Sequence, residues 1–148
     1  MNIREVPVSE LPALEAAALA FYGSSRFLHE FRIEHFIELW TAFISSGAGV
    51  ILTDAPPGAI GGLIGGMVHR DIYGSALIAE EFFWFAEPEA RGAGVRLYRA
   101  FEAWARRRGA AHVQMCHLFD VMPEKVARFY LREGFEPIEM RYEKRLCA

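Results

Sequence analysis

The stretch from Ala76 to Gly109 constrains the fold more than any other part of the chain. Its first segment, Ala76 to Ala86, contains Phe82-Phe83-Trp84-Phe85 and is apolar on both faces, which predicts a strand inside a sheet rather than at its edge. A glycine-bearing loop follows, and apolar residues then recur three and four apart from Leu97 to Trp104, which predicts an amphipathic helix ending at Gly109. A sheet covered by at least one helix is therefore expected.

The first third of the chain predicts one strand and two helices. Ile3 to Val8 is a candidate strand, and Ser9 can cap a helix that ends near Gly23. Ser24 or Ser25 can cap a second helix, whose apolar residues recur at helical spacing until Ser45-Ser46-Gly47 ends it. That second helix should lie on a core.

The rest of the chain adds a hairpin and then crossover elements. Val50 to Thr53 and Ala59 to His69 are candidate strands, and the turn residues between them suggest a hairpin. After Gly109 the pattern predicts a fifth strand, a helix capped by Asp120 and ended by Gly134, and a final strand or tightly bent pair (His112–Leu118, then Phe135–Leu146). The order predicts an α+β fold, with a mixed sheet of antiparallel hairpins followed by crossovers.

Length and charge limit the classes of protein. The 148 residues, of which 53% are hydrophobic, are enough for one domain spanning residues 1–148 and too few for two. A net charge of −3 offers no general attraction to nucleic acid or to an anionic membrane surface. The longest uncharged apolar stretch, Ala59 to Val68, is about half of the ~20 residues that cross a bilayer, so no membrane span is predicted.

The ends of the chain and its cysteines bear on the compartment. Charged residues occupy the N-terminus where a signal peptide needs an apolar run, so export is not expected. Cys116 and Cys147 have neither an evident pairing nor a C-x-x-C spacing. We predict a cytoplasmic, reduced protein.

The loop from Pro88 to Arg96 joins the buried strand to the amphipathic helix and is the best candidate for binding chemistry. Its glycines let the backbone approach a ligand closely, and free N–H groups at a helix N-terminus favour phosphate. Between Glu89 and Gly109 there are six arginines against two glutamates, so positive charge is concentrated there. Arg91 and Arg96 could contact a polyphosphate, whereas the arginines at the helix C-terminus complement its dipole.

Two segments carry a resemblance to a known family. Arg91-Gly92-Ala93-Gly94-Val95-Arg96 resembles the Gln/Arg-x-x-Gly-x-Gly/Ala signature with which the GNAT superfamily of N-acyltransferases binds the pyrophosphate of acetyl-CoA. Ala127 to Phe135, in which Tyr130 precedes Gly134-Phe135 by four residues, is similar to that superfamily's late helix-to-strand segment. The resemblance implies a splayed mixed sheet of six to seven strands flanked by about four helices.

The resemblance also implies where acetyl-CoA binds. The cofactor would lie where the strand ending in Trp84-Phe85-Ala86 parts from the strand His112 to Leu118. The pantetheine amides would pair with the backbone of Trp84, Phe85 and Ala86, and the diphosphate would meet the N–H groups of the Gly92-Ala93-Gly94-Val95-Arg96 segment, beside Arg91. Tyr130 would donate a proton to the departing thiolate, although spacing alone would also fit a core aromatic whose hydroxyl is satisfied.

An acceptor amine with a pKa near ~10.4 must lose a proton before it attacks, so a base is expected. Glu80 and Glu81 lie in an otherwise apolar strand, where burial would raise a carboxyl pKa towards a useful value. Adjacent strand residues face opposite ways, so at most one of them points into the opening. By resemblance to the histone-acetylating branch of the superfamily we prefer Glu80, and a structural role for either glutamate stays open.

Other polar residues give weaker signals. By resemblance, Phe21, Tyr22 and Arg26 lie near the acceptor pocket, although core packing fits any one of them as well, and His117 could line the pocket. Cys116 could be a nucleophile, but a lone buried cysteine is more often inert. The histidines at 29 and 35 lack the His-Glu-x-x-His spacing, so no metal site is predicted.

We therefore predict a cytoplasmic N-acetyltransferase that passes an acetyl group from acetyl-CoA directly to an amine, without a metal. The expected partners are acetyl-CoA and an amine-bearing small molecule or protein, with no nucleic acid or membrane partner and with a homodimer left open. One alternative is a catalytically silent acyl-CoA-binding module. Another is a protein-interaction domain on the same fold.

Overall fold

The computed structural model describes residues 2–27, 29–57, 59, 61–86, 92–119 and 121–146. Its strands, in chain order, are β1 (Arg4–Glu5), β2 (Gly49–Thr53), β3 (Leu63–Arg70), β4 (Leu77–Phe85) and β5 (His112–Gln114). Its α-helices are α1 (Glu15–Gly23), α2 (Ile33–Ser45), α3 (Ala93–Arg107) and α4 (Pro123–Arg132), and a 3₁₀-helix over Val8–Leu14 precedes α1. The fold is a mixed α+β fold, as the sequence predicted.

The described strands form one sheet in the order β1-β2-β3-β4-β5. The first four are antiparallel, and β5 joins β4 in parallel after the crossover through α3. The predicted hairpin between β2 and β3 is present, and β4 lies inside the sheet, as its apolar faces indicated. Parallel pairing requires such a crossover, which explains why the helix-forming segment lies between these two strands.

The sheet has five strands in the described residues, so the prediction of six to seven was too high. The segment from Phe135 to Leu146, predicted as a final strand or strand pair, is irregular. Its alternating apolar residues Ile138, Met140 and Tyr142 are 69%, 72% and 88% exposed. Alternation stabilises a strand only when one face is buried, and this segment buries neither.

A separate apolar core covers each face of the sheet. Side chains of β2 alternate between the two cores, because successive strand residues point to opposite faces. Val50 and Leu52 meet α3 on one face, where Phe101 is fully buried. Ile51 lies on the opposite face with Trp40 of α2. Both faces of the sheet therefore anchor helices, and the helices position the loops at the end of β4.

The second helix starts later than predicted, because the serines expected to cap it serve the preceding helix. Ser24 Oγ donates to the carbonyl of Phe21 and Ser25 Oγ to that of Tyr22, at 2.7 and 2.6 Å. These hydroxyls thus satisfy carbonyls at the end of α1, and α2 begins only at Ile33.

Other predicted boundaries were also too generous. The first strand has two residues instead of six, because a 3₁₀-helix already begins at Val8. The fifth strand ends at Gln114 instead of Leu118. The helix ends at Gly109 and Gly134 are as predicted, both glycines having positive φ (78° and 88°). Asp120, the predicted cap of the last helix, lies outside the described residues.

A bulge in β4 turns two successive aromatic side chains towards the same helix. Gly65 pairs with Phe83 and Gly66 with Glu81, so Phe82 is the extra residue. The rings of Phe82 and Phe83 both lie near Trp40, at centroid distances of 6.3 and 5.3 Å.

None of the helices in the described ranges is long and apolar enough to cross a membrane.

Candidate functional site

The strands β4 and β5 part halfway along β4. Their parallel pairing runs from Ile78 opposite His112 to Glu80 opposite Gln114, and the described part of the chain gives no further pair. Beyond that point β4 continues to Phe85, and among the residues described it pairs there with β3 alone. The sheet therefore opens between Glu81–Phe85 and the chain that follows Gln114.

Side chains replace the backbone ladder at the start of this opening. The Cys116 N–H donates to Glu81 Oε2 at 3.1 Å, and the Tyr130 hydroxyl donates to the Cys116 carbonyl at 2.6 Å. A strand that continued the ladder would bond these two backbone groups to β4 itself. Glu81 and Tyr130 thus bond the chain at Cys116 in place of the β4 ladder, and both side chains are buried there.

The electrostatics of this cluster follow from burial. Glu81 is 4% exposed, and loss of solvent raises its carboxyl pKa to about 7, against the lowering effect of the Cys116 N–H. Burial and the Glu81 carboxylate also raise the pKa of Tyr130 well above its ordinary value. Near neutral pH the phenol is therefore a proton donor, and Glu81 can exist in either form.

The thiol of Cys116 belongs to the same cluster, with Sγ 3.5 Å from Glu81 Oε2. Desolvation of the sulfur and the adjacent carboxylate raise the pKa of Cys116 to about 12, although the residue as a whole is exposed. A thiol in this state is protonated at neutral pH and is a poor nucleophile.

Glu80 projects from the opposite face of β4. Its Oε2 lies 3.0 Å from His69 Nε2 on β3, and its Oε1 lies 3.5 Å from Arg141 in the C-terminal segment. The side chain is 22% exposed. The two adjacent glutamates are therefore separated by the sheet, with Glu81 on the side of Tyr130 and Glu80 on the side of α1 and α2.

The N-terminus of α3 lies directly beyond the end of β4. Gly92, at φ 75°, is the N-cap, and the first intrahelical bond runs from Arg96 N–H to the Gly92 carbonyl. The first-turn N–H groups of Ala93, Gly94 and Val95 precede that bond and have no intrahelical acceptor. This turn presents backbone donors and the positive end of the helix dipole, which together suit an anion.

Trp84 ties this helix start to the strand. Its Nε1 donates to the Gly94 carbonyl at 3.1 Å, and its ring stacks on that of Tyr130 at 6.1 Å. Phe85 ends β4, Ala86 follows it, and both are half-buried. The last residues of β4, the start of α3 and Tyr130 consequently surround one opening.

Of the two arginines predicted to contact a polyphosphate, Arg96 lies within the described residues. The Arg96 guanidinium lies 3.9 Å from the carboxylate of Asp54, which itself accepts from the Gly62 N–H at 2.9 Å. The side chain of Arg96 is 46% exposed and folds towards Gly92. Arg91 lies outside the described residues, as do 87–90.

The four residues predicted to contact the acceptor are divided among three regions. Phe21 faces the sheet, with its ring 6.2 Å from that of Phe83, and the exposed His117 stacks on Tyr130 at 6.4 Å. Tyr22 instead joins an aromatic cluster after α1, where its hydroxyl bonds His29 Nδ1 at 2.9 Å. Arg26 is exposed beside that cluster.

The sequence analysis did not single out His69, Arg141 or the bulge at Phe82. His69 could have been found from hairpin arithmetic, because a turn over 71–76 places Met67 opposite Glu80 and His69 one step further along the same face. Arg141 carries no local signal, since 61 residues separate it from Glu80. In the described part of the chain no group of three or more His, Cys, Asp or Glu side chains could hold a metal ion.

Comparison with known proteins identifies the fold. No protein-family profile matches the sequence, and a comparison with curated proteins finds no significant match. Solved structures do match over nearly the whole chain. An acetyltransferase from Trypanosoma brucei is 18% identical, with a TM-score of 0.68 over 98% of this chain and 99% of that one.

Two further structures are more similar in shape. An aminoglycoside acetyltransferase from an uncultured soil metagenomic sample has a TM-score of 0.75 at 12% identity, covering 99% of this chain and 98% of that one. The protein AAC(6')-Iy, solved with the bisubstrate analogue CoA-S-monomethyl-acetylneamine, has a TM-score of 0.75 at 13% identity with the same coverage. The chain therefore has the fold of the GNAT acyl-CoA N-acyltransferases, as its two signature segments led us to expect.

Proposed function

We propose that this protein is an N-acetyltransferase that binds acetyl-CoA and transfers the acetyl group directly to an amine. The observation that carries the proposal is the opening between β4 and β5, where the Tyr130 hydroxyl lies beside an unpaired strand edge and the start of α3. The shared fold supports acyl transfer, and the solved neighbours are acetyltransferases.

The residues around the opening fit the parts of CoA. The first turn of α3 offers the N–H groups of Ala93, Gly94 and Val95 to a diphosphate, with Arg96 folded towards the same turn. The backbone from Trp84 to Ala86 continues beyond the last β4–β5 pair, so it can bond the pantetheine amides. These residues would hold acetyl-CoA, which supplies a thioester carbonyl for attack by the amine.

Tyr130 is the proposed proton donor to the departing thiolate sulfur. Its raised pKa keeps the phenol protonated, and its hydrogen bond to the Cys116 carbonyl fixes the hydroxyl at the opening. For this step the Tyr130 O–H bond must rotate, so that its hydrogen points to the sulfur instead of the Cys116 carbonyl. Cys116 has no part in the proposed reaction, since its thiol is protonated.

Glu80 is the proposed base. It lies on the side of the sheet where Phe21, Phe82 and Phe83 surround the predicted acceptor region, and its carboxylate is partly open to solvent. Glu81 lies on the other side, among Cys116 and Tyr130. Because the two glutamates lie on opposite faces of the sheet, we assign Glu80 as the base for the amine. Glu81 is assigned a structural role, in which it accepts the hydrogen bond from the Cys116 N–H.

Calorimetric titration with acetyl-CoA, and with free CoA, tests the cofactor part of the proposal. Val95 is 39% exposed in the first turn of α3, so Val95→Glu adds a negative charge where the diphosphate would bind. We expect the substitution to weaken binding about tenfold or more and to leave Tm unchanged, because a carboxylate suits a helix N-terminus. Ala103→Glu adds the same charge at an exposed site further along α3 and is the matched control.

The transfer itself is tested by incubating the protein with acetyl-CoA and a panel of amines: polyamines, amino sugars, amino acids and peptides. We expect one class to be acetylated, with mass spectrometry locating the new amide. Binding without turnover of any amine would favour the catalytically silent module. Absence of acetyl-CoA binding would contradict the proposal outright.

A further inference from the structure

We infer that His69 is a positioning residue that fixes Glu80 and accepts the proton that Glu80 removes from the acceptor amine. The inference rests on the proposed function and deepens it, because it assigns a destination to the proton. It concerns the opposite face of β4 from Tyr130.

Both ring nitrogens of His69 face oxygen atoms. Nδ1 lies 3.0 Å from the Arg70 carbonyl oxygen, and Nε2 lies 3.0 Å from Glu80 Oε2. A carbonyl oxygen can only accept, so Nδ1 must carry the hydrogen of this bond. In the neutral ring Nε2 then presents its lone pair to Glu80, which makes it a proton acceptor.

This tautomer leaves room for one proton between Nε2 and Oε2. When both groups are unprotonated, two lone pairs face each other at 3.0 Å, which is unfavourable. A proton on either atom converts that contact into a hydrogen bond. The pair is therefore built to receive a proton and to share it.

The proton moves in two steps, and each step breaks one bond as it forms another. An N–H bond of the ammonium acceptor breaks as an O–H bond forms on Glu80, and the amine keeps the electron pair with which it attacks. The O–H bond then breaks as an N–H bond forms at Nε2, leaving an imidazolium whose Nδ1–H remains on the Arg70 carbonyl. Glu80 returns to the carboxylate, and the proton leaves to solvent from His69, whose side chain is 32% exposed.

Two further titratable groups lie beside the His69–Glu80 pair. The Arg141 guanidinium lies 3.5 Å from the other carboxylate oxygen, and Glu81 lies on the far face of the same strand. Arg141 stabilises the carboxylate form, so it favours passage of the proton from Glu80 to the histidine.

The pH profile of kcat/KM, measured with acetyl-CoA and an acetylated amine from the panel, tests the inference. We expect His69→Gln and Glu80→Gln each to lower kcat/KM about 100-fold at pH 7. The loss should shrink to a few-fold near pH 10, where a substantial fraction of the amine has already lost its proton to solvent. His35→Gln, at an exposed site on α2, is the matched control and should follow the wild-type profile.

A purely structural role for His69 would give a loss that is the same at every pH, and that result would overturn the inference while leaving acetyl transfer intact. If the wild-type protein acetylates no amine, the proposed function fails and the relay fails with it.

A second measurement reads the histidine without any turnover. Long-range ¹H–¹⁵N correlation spectra, assigned with His69→Gln, distinguish the tautomers by their nitrogen shifts. We expect the neutral ring of His69 to carry its hydrogen on Nδ1. A neutral ring protonated on Nε2 would contradict the relay, because that nitrogen could then accept nothing from Glu80.

Discussion

The two halves of β4 are held by different kinds of interaction. From Ile78 to Glu80 the strand is paired on both sides, with β3 and with β5. From Glu81 to Phe85 the described residues pair this strand with β3 alone, and the Glu81 and Tyr130 side chains bond the neighbouring segment at Cys116. The paired half packs into the core and ends at Glu80, the proposed base, whereas the open half carries the proposed cofactor site.

This difference shows how a sheet can expose backbone groups without losing its order. Two side-chain hydrogen bonds satisfy the backbone of Cys116 that the ladder no longer reaches. Under the proposed function, acetyl-CoA would bind along the opposite strand edge, at Glu81–Phe85.

The largest expected effect is in the core beside the paired half. Phe101 of α3 is fully buried against Ala79 of β4, so Phe101→Ala should lower the free energy of unfolding by about 3–5 kcal/mol. Denaturant unfolding measures this loss. Leu131→Ala, at a residue 62% exposed on α4, is the control and should cost far less. A loss below about 1 kcal/mol for Phe101→Ala would contradict the proposed core.

The next effect concerns Glu81 and the pH dependence of stability. The folded pKa of about 7 exceeds the ordinary 4.5, so the folded state binds this proton more tightly than the unfolded state. The associated stability is complete below pH 4.5 and is lost as pH rises through about 7. Wild type should lose up to roughly 3 kcal/mol of its free energy of unfolding between pH 5 and pH 8. Glu81→Gln should not show this loss.

Urea unfolding at the two pH values measures the change. Glu136→Gln, an exposed glutamate in the C-terminal segment, should keep the wild-type pH dependence. An unaltered pH dependence in Glu81→Gln would mean that the carboxyl is ionised and solvated, contrary to its burial.

Tyr130→Phe tests the open half by kinetics. Loss of the hydroxyl removes the proposed acid, and we expect kcat to fall about 100-fold while affinity for acetyl-CoA stays within a few-fold. The lost bond to the Cys116 carbonyl should cost about 1 kcal/mol of stability. Calorimetry and initial rates separate these terms, and an unchanged kcat would remove the acid role.

The smallest effect is expected at Cys116. Its backbone carries the contacts and its thiol is protonated, so Cys116→Ala should keep kcat within about threefold of wild type. Near-complete loss of turnover with intact acetyl-CoA binding would indicate a thiol relay instead of direct transfer.

The sequence predicted the paired half of the sheet well. Hydrophobic pattern and turn residues located β2, β3 and β4, and α3 ends at Arg107, two residues before the predicted stop at Gly109. Serine can cap either end of a helix, and the sequence did not show which. Ser24 and Ser25 were expected to cap the start of α2, but their hydroxyls bond carbonyls at the end of α1. The segment after Phe135 alternates like a strand, yet alternation cannot tell whether a partner edge lies within reach.

The candidate site was predictable only where its residues are close in sequence. The loop at Gly92–Arg96 and the pair Glu80-Glu81 stand out from local pattern, and alternation separates the two glutamates by face. The bond from Tyr130 to Cys116 and the approach of Arg141 to Glu80 depend on how distant segments meet. Such contacts are set by the packing of α4 and the C-terminal segment.

The most direct test of the account is amide hydrogen exchange with and without acetyl-CoA. If the cofactor binds along the open half of β4, protection should rise for amides in 81–86 and 93–96. Exchange in the paired half, 78–80, and in β2 should change little, because those amides are already bonded. Protection confined to other parts of the chain, or none at saturating acetyl-CoA, would contradict the central claim.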